Sequence, residues 1–129
     1  YISRHKDELD KIKASSEIDM VGAGSELWVV EGGNWPDEEI RLAKWLCDYV
    51  KETATNLGYH IDLCFCVLGT PDSGRFAKAG VPTTWIWGPG DRYYHSPEDT
   101  WEKVDPNKVK AVCDIVLTSV INLANKESI

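Results

Sequence analysis

The chain has 129 residues and is 43% hydrophobic, enough for one domain with its own core and too apolar for a disordered segment. Its net charge of −7 excludes nucleic acid as a natural partner, because phosphate binding needs a basic face. No apolar run reaches the roughly 18 residues that a membrane-spanning helix needs.

The opening Tyr1-Ile2-Ser3-Arg4-His5 has no signal-peptide pattern and no initiator Met, which points to a processed chain or an excised piece. Residues 5–13 carry Leu9 and Ile12 among charges, the pattern of a short amphipathic helix or the end of one. Residues 17–22 and 26–31 read as two strands separated by Ala23-Gly24-Ser25. Asn34-Trp35-Pro36 then opens a helix. Pro36 suits the first helical position, and Asp37, Glu38 and Glu39 favour the positive end of its dipole. Ile40, Ala43, Leu46, Cys47, Val50, Ala54 and Leu57 recur at helical spacing, and Gly58 closes the helix.

Residues 61–67 form a strand that is apolar on both faces, residues 73–79 a short helix stopped by Gly80, and residues 81–87 a further strand rich in β-formers. Residues 88–104 make a long loop. Asp105-Pro106 supplies an N-cap and a first-turn proline for a last helix, whose stripe Val109, Val112, Cys113, Val116, Val120 and Leu123 is widened by Ile115, Leu117 and Ile121. That helix is expected to be buried broadly. Strands alternating with helices predict an α/β domain, with a mainly parallel or mixed sheet flanked by helices and a site at the strand ends.

The four cysteines, Cys47, Cys64, Cys66 and Cys113, lie in apolar segments and are expected to be buried as small hydrophobes. Cys64 and Cys66 alternate on a strand and share a face, but no second pair at zinc-finger spacing accompanies them. With no disulfide framework indicated, an intracellular setting is favoured.

Two residues stand out chemically. Asp19 sits in the apolar stretch Ile18-Asp19-Met20-Val21, where an ionised carboxylate needs a cation, a metal or a loop to cap. His95 follows Tyr93-Tyr94 and precedes Asp99, a carboxylate placed to brace an imidazole that binds metal. The bland alternatives are a paired carboxylate and an ordinary loop histidine.

Three motifs go further. Glu17–Gly22 resembles the NLDMVG strand of the co-catalytic di-zinc aminopeptidases, the family of bacterial leucine aminopeptidases with glutamate carboxypeptidase II and glutaminyl cyclase as relatives. Tyr94-His95-Ser96-Pro97-Glu98-Asp99-Thr100 resembles its YHTxxDT loop, and Asp72–Pro82 its SDHxxFxxAGIP segment. The resemblance implies that Asp19 binds one zinc and His95 the other, that Tyr94 stabilises the tetrahedral intermediate as in some members, and that Asp72 supports the site. Trp85, Trp87, Tyr93 and Trp101 would line a substrate pocket, with core packing as the plainer role of Trp85 and Trp87. The chain departs from the pattern at Pro71 and Ser73, where the family often has Ser and His.

The resemblance also defines what is missing. The family's HxD motif and Glu-Glu pair precede the NLDMVG strand, and only 16 residues precede Glu17 here. His5-Lys6-Asp7 lies too close to Asp19 to supply the first. Glu38-Glu39 follows the strand instead of preceding it and reads as a solvated helix start. The expectation is therefore a single partial domain over residues 1–129, the C-terminal half of a zinc exopeptidase. It would be inactive alone and would leave a sheet edge and apolar helix faces for the other half or a second copy. A non-catalytic module on the same scaffold and a glutaminyl-cyclase-like acyl transferase are the competing functions.

Overall fold

In the computed structural model, residues 1–34, 38–66 and 71–126 are described. Five strands form one mixed sheet: β1 Ser15–Asp19, β2 Trp28–Asn34, β3 Glu39–Arg41, β4 Asp62–Cys66 and β5 Thr83–Trp87. The helices are α1 Lys44–Asn56, α2 Asp72–Lys78 and α3 Pro106–Ala124. β1 pairs parallel with β5, and β5 pairs antiparallel with Trp28–Val30 of β2. β3 pairs antiparallel with Gly32–Asn34 of β2, and β4 runs parallel along β2. Val30 bonds both β4 and β5, so those two strands occupy opposite edges of β2.

The first segment is two 3₁₀ turns, Ile2–Arg4 and Leu9–Lys11, in place of the expected amphipathic helix. Leu9 and Ile12 are only half-buried, too little apolar contact to hold a longer helix. The larger correction concerns the helix expected from Asn34. Asn34 ends β2, and Glu39–Arg41 is a strand. The helix begins only at Lys44, after a first residue, Ala43, that offers no side-chain cap. The expected roles of Trp35, Pro36 and Asp37 lie outside the described residues. Ile40 and Leu42 are both buried, a period of two that the longer helical pattern concealed. Glycine at position 32 permits the pairing, because a Cβ there would collide with the Ile40 carbonyl. Glu38 and Glu39 are solvated as expected, but they form ion pairs with Lys78 and Arg41, both at 2.7 Å, and do not start a helix.

The core joins Val29, Val30 and Ile86 of the sheet to Cys47, Val50 and Ala54 of α1 and to Val112 and Ile115 of α3. Asp105 caps α3 as expected, its carboxylate accepting the Asn107 N–H at 2.8 Å. The helix is not buried broadly, however. Ala111, Val112, Ile115, Ser119 and Leu123 face inward, while Leu117, 61% exposed, lies in solvent with Val120, Ile121 and Cys113. The helix packs through one stripe against α1 and the core, and among the described residues its opposite side stays exposed. Cys113 therefore departs from the burial expected of the cysteines, and Cys64 is half-buried. Among the described residues no helix is long and apolar enough to cross a membrane.

Candidate metal and substrate cleft

Residues paired across neighbouring strands share a face of the sheet. Glu17 pairs with Trp85, Asp19 with Trp87, and Trp28 with Trp87. These five side chains therefore lie on one face. The three indoles run in a row, with centroids 5.6 Å apart from Trp85 to Trp87 and again from Trp87 to Trp28.

Asp19 is the last residue of β1, and the chain turns sharply at Met20, whose φ is +57°. The Asp19 carbonyl accepts the Gly88 N–H at 3.2 Å. A Cβ at Gly88 would stand 2.5 Å from the Met20 carbonyl, so this close approach of two strand ends requires glycine. The loop after Gly88 is braced by Asp91, whose carboxylate accepts the Tyr93 N–H at 2.8 Å. It carries His95 at φ +57°, with the imidazole stacked on Tyr94 at 3.7 Å between centroids.

Asp19, Tyr94, Trp85 and Trp87 line one cleft of about 490 Å³, together with Glu17, Met20, Pro71, Pro89, Gly90 and Asp91. Asp19 and Tyr94, 75 positions apart in sequence, thus meet in the same cleft. His95 is exposed beside Tyr94 and is not part of the cleft wall. Asp72 is exposed in the first turn of α2. Among the described residues no hydrogen bond joins the Asp99 side chain to His95, and the Asp99 N–H bonds the Ser96 carbonyl instead. Tyr93 lies outside the cleft wall, flanked by Arg92 and Lys103, whose charged groups sit 4.7 Å and 4.2 Å from its ring centroid. Trp101 is 80% exposed on a 3₁₀ turn. So two of the four aromatics expected in the pocket are there.

Three residues at this face and its loop were not proposed for the site from the sequence. Glu17 accepts the Ser73 N–H at 2.7 Å, which ties the start of α2 to β1. Asp91 braces the loop, and Trp28 extends the indole row. The Glu17-x-Asp19 alternation on a strand is the one signal that would have revealed the first.

The cleft wall holds three carboxylates and no cationic side chain. Partial burial pushes the Asp19 carboxyl above its ordinary range, the charge of Glu17 pushes it further, and a backbone hydrogen bond at Met20 pulls it back. No ion pair compensates Asp19 among the described residues. A carboxylate penalised by burial and by a like charge is a donor of the right kind for zinc. The number of donors falls short, since no group of three or more His, Cys, Asp or Glu side chains able to hold a metal is found among the described residues. His5 is engaged elsewhere, stacked on Tyr1 and bonded to Glu8 at 3.2 Å.

Residues 1–120 match the family described as Peptidase family M28, and the chain belongs to that family. A zinc aminopeptidase from Bacillus subtilis superposes with a TM-score of 0.70 at 21% identity, over 94% of this chain and 32% of its own. The LapA aminopeptidase of Legionella pneumophila gives 0.78 at 17% identity, over 97% and 35%. An aminopeptidase from Aneurinibacillus sp. strain AM-1 gives 0.68 at 25% identity, over 88% and 26%. The chain thus spans about a third of the length of these solved aminopeptidases or less. No curated protein matches it.

Proposed function

We propose that this chain supplies part of the active centre of a zinc-dependent exopeptidase that removes N-terminal residues from peptides, and that it is inactive by itself. The observation that carries the reading is the meeting of Asp19 and Tyr94 in one cleft, with His95 next to Tyr94 outside its wall, in a chain that belongs to Peptidase family M28. Asp19 would hold one zinc and His95 a second. Bound zinc supplies Lewis acidity and acidifies a coordinated water. The Tyr94 hydroxyl, at the cleft wall, would donate to the substrate carbonyl oxygen as negative charge develops on it. The indole face of Trp85 and Trp87 would hold the substrate's side chain and exclude water.

A catalytic zinc normally takes three protein ligands, so the remaining ligands and the general base would come from outside this chain, which spans about a third of the length of the solved aminopeptidases it resembles. The portion supplying them would pair along the outer edge of β1, which among the described residues is bonded to β5 alone, and cover the apolar face of α3 at Leu117, Val120 and Ile121. Calorimetric titration with zinc tests the reading. Weak binding that His95→Ala abolishes is expected. Nanomolar binding by the isolated chain would contradict the partial site, and unchanged binding in His95→Ala would contradict the ligand assignment.

A further inference from the structure

The turn that follows Asp19 directs three successive carbonyls at the start of α3. The Gly22 carbonyl accepts the Asp105 N–H at 2.8 Å. The Ala23 and Gly24 carbonyls both accept from the Lys108 ammonium, the second at 3.4 Å. Carbonyl oxygens gathered in one place repel one another unless donors stand between them, and the positive end of a helix favours them there. Lys108 forms no ion pair among the described residues. Partial burial pulls its ammonium below the usual lysine range, although the charges of Asp105, Asp91 and Glu26 push it back. Desolvating a charge is unfavourable unless other contacts offset it, and for Lys108 those contacts are the two carbonyls of the turn.

The same turn touches the segment that leads to Tyr94 and His95. The Gly88 N–H donates to the Asp19 carbonyl at 3.2 Å. A Cβ on Gly88 would stand 2.5 Å from the Met20 carbonyl and 3.0 Å from the Lys108 ammonium. Gly24, at φ +71°, lies so near Pro89 that a Cβ would collide with the Pro89 carbonyl. Lys108 therefore stands where the Asp19 strand end, the turn after it and the start of the Tyr94 loop come together. We propose that Lys108 is a positioning residue for the metal site, its ammonium fixing the separation between Asp19 and the loop that carries Tyr94 and His95. The inference rests on the exopeptidase reading above. Lys108 is not in the wall of the cleft and lines a separate cavity of about 900 Å³, so it acts through the backbone and not on the substrate.

Charge and position predict opposite effects on zinc. Removing a nearby cation strengthens the binding of another cation by Coulomb's law, whereas loss of positioning weakens it. Lys108→Met keeps the apolar stem and removes the ammonium. In the whole chain without metal, hydrogen exchange at the Gly88 amide should quicken about tenfold, while the buried Ile86 amide of β5 exchanges as before. In calorimetric titration, zinc affinity should fall about fivefold. Lys108→Arg returns a cationic donor and should recover most of both effects. Lys110→Met removes the same charge from an exposed position on α3 and should leave both unchanged. Unaltered exchange at Gly88, equal or tighter zinc binding by Lys108→Met, no recovery in Lys108→Arg, or an equal loss in Lys110→Met each overturns the proposal. The two readings fail separately. Unaltered exchange at Gly88, measured without metal, refutes the role of Lys108 alone, whereas zinc binding that survives His95→Ala refutes the exopeptidase reading alone.

Discussion

Replacing Glu17 by alanine isolates the contact that joins the candidate ligand strand to α2. The helix begins after Pro71, which contributes no side-chain cap. Its Ser73 N–H is served by the Glu17 carboxylate at 2.7 Å, across 56 residues of sequence. Ser73 is 1% exposed, so losing the acceptor strands a buried donor. A hydrogen bond to a charged group contributes ~1.5–3 kcal/mol, and the half-exposed carboxylate places this one at or just below the bottom of that range, about 1–2 kcal/mol. For a domain of this size that loss lowers Tm by roughly 3–10 °C. Thermal unfolding by circular dichroism measures it, and hydrogen exchange at the Ser73 amide locates it. Glu17→Gln keeps an acceptor and should lose less than half as much. If Glu17→Ala unfolds at the wild-type temperature with Ser73 still protected, the tie between strand and helix does not exist.

Other consequences follow from the same packing. Asp105→Ala removes the α3 cap and should cost ~1 kcal/mol, read as a lower midpoint in urea with an unchanged slope. Ile86→Ala opens a cavity beneath both long helices and should cost ~2–5 kcal/mol; a loss under about 1 kcal/mol would show that the site collapses freely. Gly88→Ala forces strand ends apart at the cleft and should shift the amide signals of Met20 and Gly90 and displace the Lys108 ammonium, which lies 3.0 Å from where that Cβ would stand. Asp114 is held below its ordinary range by Lys110 first and the Tyr59 hydroxyl second. A depressed carboxyl stabilises the fold at pH values above its unfolded value, and that contribution disappears as the pH falls through the folded one. Acid unfolding of Asp114→Asn should therefore show a weaker pH dependence below about pH 4, and an identical profile would remove Asp114 from the account.

The sequence was most informative where local chemistry and packing agree. Asp105-Pro106 specified the start of α3, Gly80 the end of α2, and the β-branched and aromatic run of β5 its strand. It misled where two periods overlap. Ile40 and Leu42 belong to a two-residue repeat leading into the helix, and Ala43 onward to a helical one, yet Ile40 and Ala43 also fit helical spacing. Leu117, Val120 and Ile121 show the limit of reading burial from apolarity, because a stripe is buried only where a neighbour exists to cover it. At the cleft, Asp19 and Tyr94 were picked out by their motifs, while His95 stands outside the wall. Glu17 and Asp91 act through a backbone amide and a turn, which a residue pattern does not display. Tyr93 and Trp101 lie near the cleft in sequence but are directed elsewhere by Lys103 and by the 3₁₀ turn.

The chain's three histidines, His5, His60 and His95, make a direct test of metal convergence possible. Zinc added stepwise to isotopically labelled protein, followed through the imidazole resonances and the carboxylate carbon of Asp19, should move His95 and Asp19 together before either of the other rings responds. Movement of His5 or His60 first, or of His95 with Asp19 unaffected, would contradict a shared metal site at these strand ends.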